Sequence, residues 1–165
     1  MRNPWKPAKI ALRSVARRIA ELDKEIAELD AQLEPLVRRT APRTVSLFGV
    51  GVGHAMQLLV TAGQNIDRLR GDAAFAHLCG ADPIPASSGK TLRLRLNPGG
   101  DREANSTLHM IAVVRLRYCE RTRAYAARRL EEGRGKREVI RCLKRYIARE
   151  AYKALREDLA ALAET

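Results

Sequence analysis

Aromatic side chains are scarce in this sequence: one Trp, four Tyr and two Phe make up only 4% of its residues. A core without them has to be assembled from Ala, Leu, Ile and Val, the material of packed helices, so a mainly α fold is expected. Cysteine is nearly absent as well. Cys79, Cys119 and Cys142 stand alone, with neither a C-x-x-C pair nor histidines at ligand spacing; no metal is assigned to them, and they read as small buried hydrophobes in a reducing compartment. No stretch approaches the roughly 18 consecutive apolar residues of a membrane span, and the opening MRNPWKPAKIALRSVARR lacks the apolar core of a signal peptide. A cytoplasmic protein with no membrane partner is expected.

Negative charge is the other deficit. Against 31 Lys plus Arg there are 19 Asp plus Glu, a formal balance of +12, and arginine dominates the cations. Planar guanidinium groups suit bidentate, phosphate-rich partners, so nucleic acid is the default reading, with a merely soluble basic surface as the alternative. The excess is regional: Arg115 to Arg149 holds 13 basic and 4 acidic residues.

The 165 residues suffice for one domain with a real core, or a smaller core with a helical extension. Leu12, Val15, Ile19, Leu22, Ile26, Leu29, Leu33 and Leu36 follow strict 3-4 spacing, the seam of a coiled coil. Residues 1–40 are therefore read as a coiled-coil helix pairing two copies through 12–36, and Pro35 is expected to end or kink it. An amphipathic helix lying on its own domain is the alternative.

Residues 41–165 form the second part, expected to be helical. TAPRTVSLFGVGVGHAMQLLVTAG joins two apolar stretches through a Gly-Val-Gly turn, the outline of a helix-hairpin-helix. Gly49, Gly51 and Gly53 would let backbone amides approach a phosphate; simple helix packing is the competing explanation. A short buried helix follows over 71–79, with Asp72 as its N-cap. His77 is read as packed inside it, and neither His77, His54 nor His109 is given a chemical role. Two long helical patterns, Asp101 to about Glu132 and Lys136 to about Ala163, complete the chain. In the last, Arg137, Arg141, Lys144, Arg145 and Arg149 form a stripe facing a polyanion or solvent. Val139, Ile140, Leu143, Tyr146 and Ile147 are read as the packed side.

Between the helices lies DPIPASSGKTLRLRLNPGGDREAN. Pro83 and Pro85 force extended geometry on their predecessors, Ser88 precedes a bendable Gly89, and TLRLRL alternates like a short strand or an extended arm. Lys90, Arg93 and Arg95 surround the hydroxyl. It either hydrogen-bonds a phosphate or attacks one, and composition does not choose.

The order GVGVGHAMQLL, FAHLCGADPIPASSGKT, RLNPGGDREANSTLH and EVIRCLKRYIARE resembles the C-terminal half of insertion-sequence transposases of the "IS one-ten" family, relatives of Piv-type DNA recombinases, over about Leu36 to Leu155. The resemblance implies a DNA recombinase in which an amino-terminal RuvC-like domain holds Mg²⁺ on an Asp-Glu-Asp-Asp set. A carboxy-terminal serine bonds covalently to cleaved DNA, and a structured guide RNA directs the reaction. The family's Ser-Gly motif falls on Ser88, with Ser87 as its alternative, and Gly99, Gly100, Asp101, Arg102 and Asn105 match the stretch after it. The sequence departs from the family pattern by containing no such acidic set. A transposase domain at the nucleoid is thus expected that binds DNA and RNA but is silent alone; a helix-hairpin-helix module without chemistry and a coiled-coil assembly protein are the competing readings.

Overall fold

A computed structural model describes residues 5–63, 69–85, 94–95 and 97–164, and it is mainly α, as composition predicts. The elements run α1 (Trp5–Thr40), α2 (Pro42–Ser46), α3 (Val52–Ala62), α4 (Asp72–Leu78), β1 (Ile84–Pro85), β2 (Leu94–Arg95), α5 (Arg102–Tyr118), α6 (Glu120–Glu131) and α7 (Lys136–Ala163). The chain divides into two units, Met1–Leu36 and Val37–Thr165.

Among its described residues the first unit is helix alone. Its seam residues are all solvent-accessible, from Leu12 at 68% to Leu33 at 37% exposed, so within one chain the stripe is uncovered. Arg18–Glu21 and Lys24–Glu28 pair along the surface at 3.6 and 3.7 Å, contacts worth a few tenths of a kcal/mol. Pro35 does not end the helix: α1 runs through it to Thr40. Proline removes one amide donor from a long ladder, and the turn beyond it is held by the buried Val37, whose carbonyl accepts from the amide of buried Ala41 at 2.8 Å. The stop comes at Pro42 instead, where proline occupies the first turn of α2 and its missing N–H costs nothing.

The second unit is organised around α7, a 28-residue rod about 42 Å long that packs against α2, α4, α5 and α6. Ile147 and Leu155 of α7 meet Phe75 of α4, Leu58 of α3, and Leu108 and Ile111 of α5 in a core of fully buried side chains. Phe75 and Tyr152 sit with ring centroids 5.9 Å apart, and the Tyr152 hydroxyl donates to the Leu69 carbonyl at 3.0 Å. The five-residue α2 has no local cap. Its amides are capped from the far end of the chain: Asp158, 1% exposed, accepts from Arg43 N at 3.1 Å, Thr44 N at 2.9 Å and Thr44 Oγ1 at 2.8 Å.

Four further expectations are corrected. The pattern Asp101–Glu132 is two helices, broken at Cys119, whose extended backbone (φ −103, ψ 114) ends α5 and begins α6. Gly71 rather than Asp72 is the N-cap of α4, because the entry requires φ 148, a value only glycine adopts freely; Asp72 is the first helical residue. His77 is exposed in the last turn of α4, the buried side being taken by Phe75 and Ala76. Of the thiols only Cys79 is buried, and burial, reinforced by Asp101, pushes it up to about 12; Cys119 and Cys142 are half-buried. Among the described residues no helix is long and apolar enough to cross a membrane.

Candidate functional site

Segment 86–93, with Ser87, Ser88, Lys90 and Arg93, lies outside the described residues, but both of its roots are fixed. β1 and β2 pair antiparallel, Ile84 opposite Arg95 and Pro85 opposite Leu94. Below this ladder two backbones cross at Gly80 and Gly100 so closely that a Cβ on Gly100 would stand 2.3 Å from the Gly80 amide nitrogen. Gly80 adds a φ of +62, natural to glycine alone. The crossing is riveted by hydrogen bonds: Asp101 N to Leu78 O at 2.7 Å, Asn97 Nδ2 to His77 O at 2.9 Å, and Asn105 Nδ2 to the Cys79 and Gly80 carbonyls, both at 2.9 Å.

Asp101 caps α5, accepting from Glu103 N at 2.9 Å and Ala104 N at 3.2 Å, and its second oxygen accepts from Thr61 Oγ1 at 2.6 Å. That hydroxyl bond, aided by the two amides, holds its carboxyl below the usual range. The Lys144 ammonium donates to Asn105 Oδ1, tying α7 to the same knot. Burial of its stem, with Arg141 nearby, lowers its pKa.

The roots open onto a cleft of about 1130 Å³ walled by α5, α6 and α7. Among the described residues seven cations line it, Arg102, Arg128, Arg129, Arg141, Lys144, Arg145 and Arg149, against one carboxylate, Asp82. Some are already committed. Arg145 reaches Asp82 at 3.3 Å and Asp72 at 3.5 Å, and Arg149 holds Asp72 at 2.8 Å, which keeps the Asp72 carboxyl below its ordinary value. Arg128 and Arg129 face Glu132. Arg102 and Arg141 are exposed and have no ion pair among the described residues, so their charge is available to a ligand.

Of the residues singled out from sequence, Arg102, Asn105, Arg141, Lys144, Arg145 and Arg149 meet in this cleft. Arg137 is exposed on α7 outside its lining, and Arg95 belongs to β2. The glycine turn lies elsewhere. Gly49, at φ +79, packs against Ile111, Val114 and Arg115, roughly six to ten residues or about 9–15 Å along α5 from Asn105. Beside that turn Arg115 donates to Phe48 O at 2.8 Å and to Glu150 Oε2 at 2.6 Å. Gly51 is the N-cap of α3, its amide turned to His54 Nδ1 at 3.5 Å, and neither Gly51 nor Gly53 has a neighbour within 4 Å of an added Cβ.

Sequence reading missed part of the lining. Ser106 and His109 share one face of α5 by i,i+3 spacing, and Tyr125, Arg128 and Arg129 face the cleft from α6. Tyr146, read as packed, is 50% exposed and lines the cleft, because Val139, Leu143 and Ile147 already fill the buried stripe and leave position 146 at its edge. The signal was the two tyrosines embedded in the most basic stretch.

A concave, cation-rich surface of this size accommodates a chain of phosphates better than a single small anion. Among the described residues no group of three or more His, Cys, Asp or Glu is placed to hold a metal.

Known proteins place the chain. It is 27% identical over 134 residues to a protein of Mycobacterium paratuberculosis described as "Insertion element IS900 uncharacterized 42 kDa protein", an alignment covering 79% of this chain and 34% of that one. The chain thus spans about a third of the length of this curated relative. Residues 42–127, more than half of the sequence and containing the glycine turn, the serine segment and most of α5 and α6, match the transposase family IS116/IS110/IS902, and the chain belongs to that family.

Proposed function

We propose that this chain is the part of an insertion-sequence transposase that grips DNA in the cleft and presents the Ser88 hydroxyl to a phosphodiester. The observation that carries this reading is a cleft at the roots of the serine-bearing segment whose described lining holds seven cations, Arg102 and Arg141 among them without an ion pair. In the reaction, Ser88 Oγ bonds to phosphorus as the bond to the leaving deoxyribose oxygen breaks. The serine proton ends on that oxygen, giving a DNA–serine phosphodiester and a free DNA hydroxyl. Arg102, Arg141 and Lys144 offset the charge that builds on the phosphoryl oxygens. A structured guide RNA would use the same phosphate chemistry. Mg²⁺ would be held by the family's RuvC-like domain; among the described residues no cluster of carboxylates is placed to bind it. The uncovered seam of α1 would pair two copies.

The test mixes this chain with the RuvC-like domain of a family member, Mg²⁺ and a labelled DNA end, and looks for a protein–DNA adduct on a denaturing gel. The adduct is expected with the parent and with Ser87→Ala, and not with Ser88→Ala, which should still bind DNA. An adduct that survives in Ser88→Ala removes the nucleophile assignment. Binding without an adduct from any form leaves a helix-hairpin-helix binding module.

A further inference from the structure

One wall of the cleft carries rings among its cations. Tyr146 projects from α7 half exposed, and Tyr125 of α6 meets it at a ring-centroid distance of 5.7 Å with the planes at 84°. In either sense of such a T-shaped pair, Tyr125 covers at most one face of Tyr146, and half of the side chain remains exposed. Tyr125 is half-buried, and the Arg128 guanidinium stands 5.6 Å from its ring centroid. Burial, together with Cys142 beside it, raises the Tyr125 phenol. Tyr125 is thus a braced support, and Tyr146 a ring of fixed tilt facing the cavity. Arg141 lies on the same helix, and Arg102 lines the same cleft; both are unpaired among the described residues.

A duplex offers this wall phosphates, sugars and base edges but, apart from its ends, no base face to stack on the Tyr146 ring, because its bases are stacked on one another. An acidic peptide would satisfy the arginines and likewise leave the ring idle. Cations spaced around an exposed, immobilised aromatic face are what a strand with an unpaired base requires, its backbone on the charges and its base on the ring.

We propose that Tyr146 is a stacking platform for one unpaired nucleobase, so that the cleft takes a nucleic-acid strand with at least one base outside a duplex, its phosphates on Arg141 and Arg102. This deepens the cleft reading above and rests on it. A melted DNA end and a single-stranded RNA loop present the same base face and phosphates.

The experiment measures binding of the full chain to a short single-stranded DNA, an RNA of the same sequence and the blunt DNA duplex, by fluorescence anisotropy. Tyr146→Ala is expected to weaken single-strand binding about 5- to 150-fold, the range of one base–ring stack, and Tyr146→Phe by less than about twofold. Duplex affinity should not move. In Trp5→Phe/Tyr146→Trp the only indole stands at position 146, and its fluorescence should be quenched by the single strand and not by the duplex. A loss with DNA alone or RNA alone assigns the strand, and a loss with both assigns the shared base face. Equal loss for single strand and duplex, or no loss with either strand, overturns the platform. Arg102→Ala/Arg141→Ala tests the underlying site separately: weakening of both single strand and duplex, with a shallower salt dependence, supports the cleft. No change there overturns cleft and platform together, whereas failure at Tyr146 alone leaves the cleft standing.

Discussion

Replacing Gly100 by alanine and comparing it with the same change at Gly99 isolates the backbone crossing beneath the serine segment. At Gly100 the new methyl would fall 2.3 Å from Gly80 N, 2.4 Å from Gly80 Cα and 3.0 Å from Leu78 O, all backbone atoms that have no rotamer to yield. At Gly99 the methyl would meet only Asn97 Oδ1, at an ordinary 3.6 Å. Overpacking of this kind costs about 1–3 kcal/mol. Separating the strands also weakens the 2.7 Å bond from Asp101 N to Leu78 O and the two from Asn105 to the Cys79 and Gly80 carbonyls, at about 1 kcal/mol each. A loss of about 4–6 kcal/mol is expected, and with about 3–5 °C per kcal/mol for a unit of this size the melting temperature should drop by about 12–30 °C. Gly99→Ala should stay within about 0.5 kcal/mol. Urea and thermal unfolding followed by helical circular dichroism measure both. Equal stability of the two variants would mean that the backbones do not cross there, and the anchoring of the serine segment would have to be abandoned.

Asp158→Ala leaves two amides and a hydroxyl of α2 without their buried acceptor and should cost about 3 kcal/mol in urea unfolding; a loss under about 0.5 kcal/mol would show that the cap contributes nothing. Lys144 carries a folded pKa below the ordinary 10.5, so between those two values the unfolded chain binds more protons than the folded one. Its contribution to stability therefore rises with pH through that window. Across the same window the cleft loses a cation, so DNA affinity should begin to fall at lower pH than ordinary lysines dictate. Lys144→Arg keeps its charge, and a pH profile superimposable on the parent's would refute the assignment. Leu22→Glu with Leu29→Glu, which charges two uncovered seam positions, should turn a dimer into a monomer in sedimentation; a monomeric parent refutes pairing through α1.

The helices that sequence located well are those whose apolar residues repeat at the helical period. α7 is legible from Val139, Leu143 and Ile147, and α1 from its leucine and isoleucine seam, since a local pattern needs no knowledge of the partner. What escaped reading depends on residues far apart. Nothing local at Cys119 marks the break between α5 and α6, for no glycine or proline stands there. That the helix continues past Pro35 is not legible locally, because the burial of Val37 and Ala41 in a core is invisible in their own neighbourhood. The cleft was half legible: its arginines are conspicuous in number, but Tyr125 and Tyr146 face each other only because α6 and α7 fold together. The meeting of Gly80 with Gly100 joins two motifs that had each been noticed separately, and only the fold makes them one knot.

The cap on α2 has a further consequence for synthesis. Thr44 and the carboxylate that completes it are 114 residues apart, so at about 5–20 residues per second a nascent chain waits roughly 6–23 s between translating the two. Until α7 leaves the ribosome, the helices that pack on it have uncovered apolar faces, and the second unit closes only once α7 is out. A pause, a premature stop or a fusion that delays α7 would lengthen the interval in which those faces are open to chaperones and to other nascent chains.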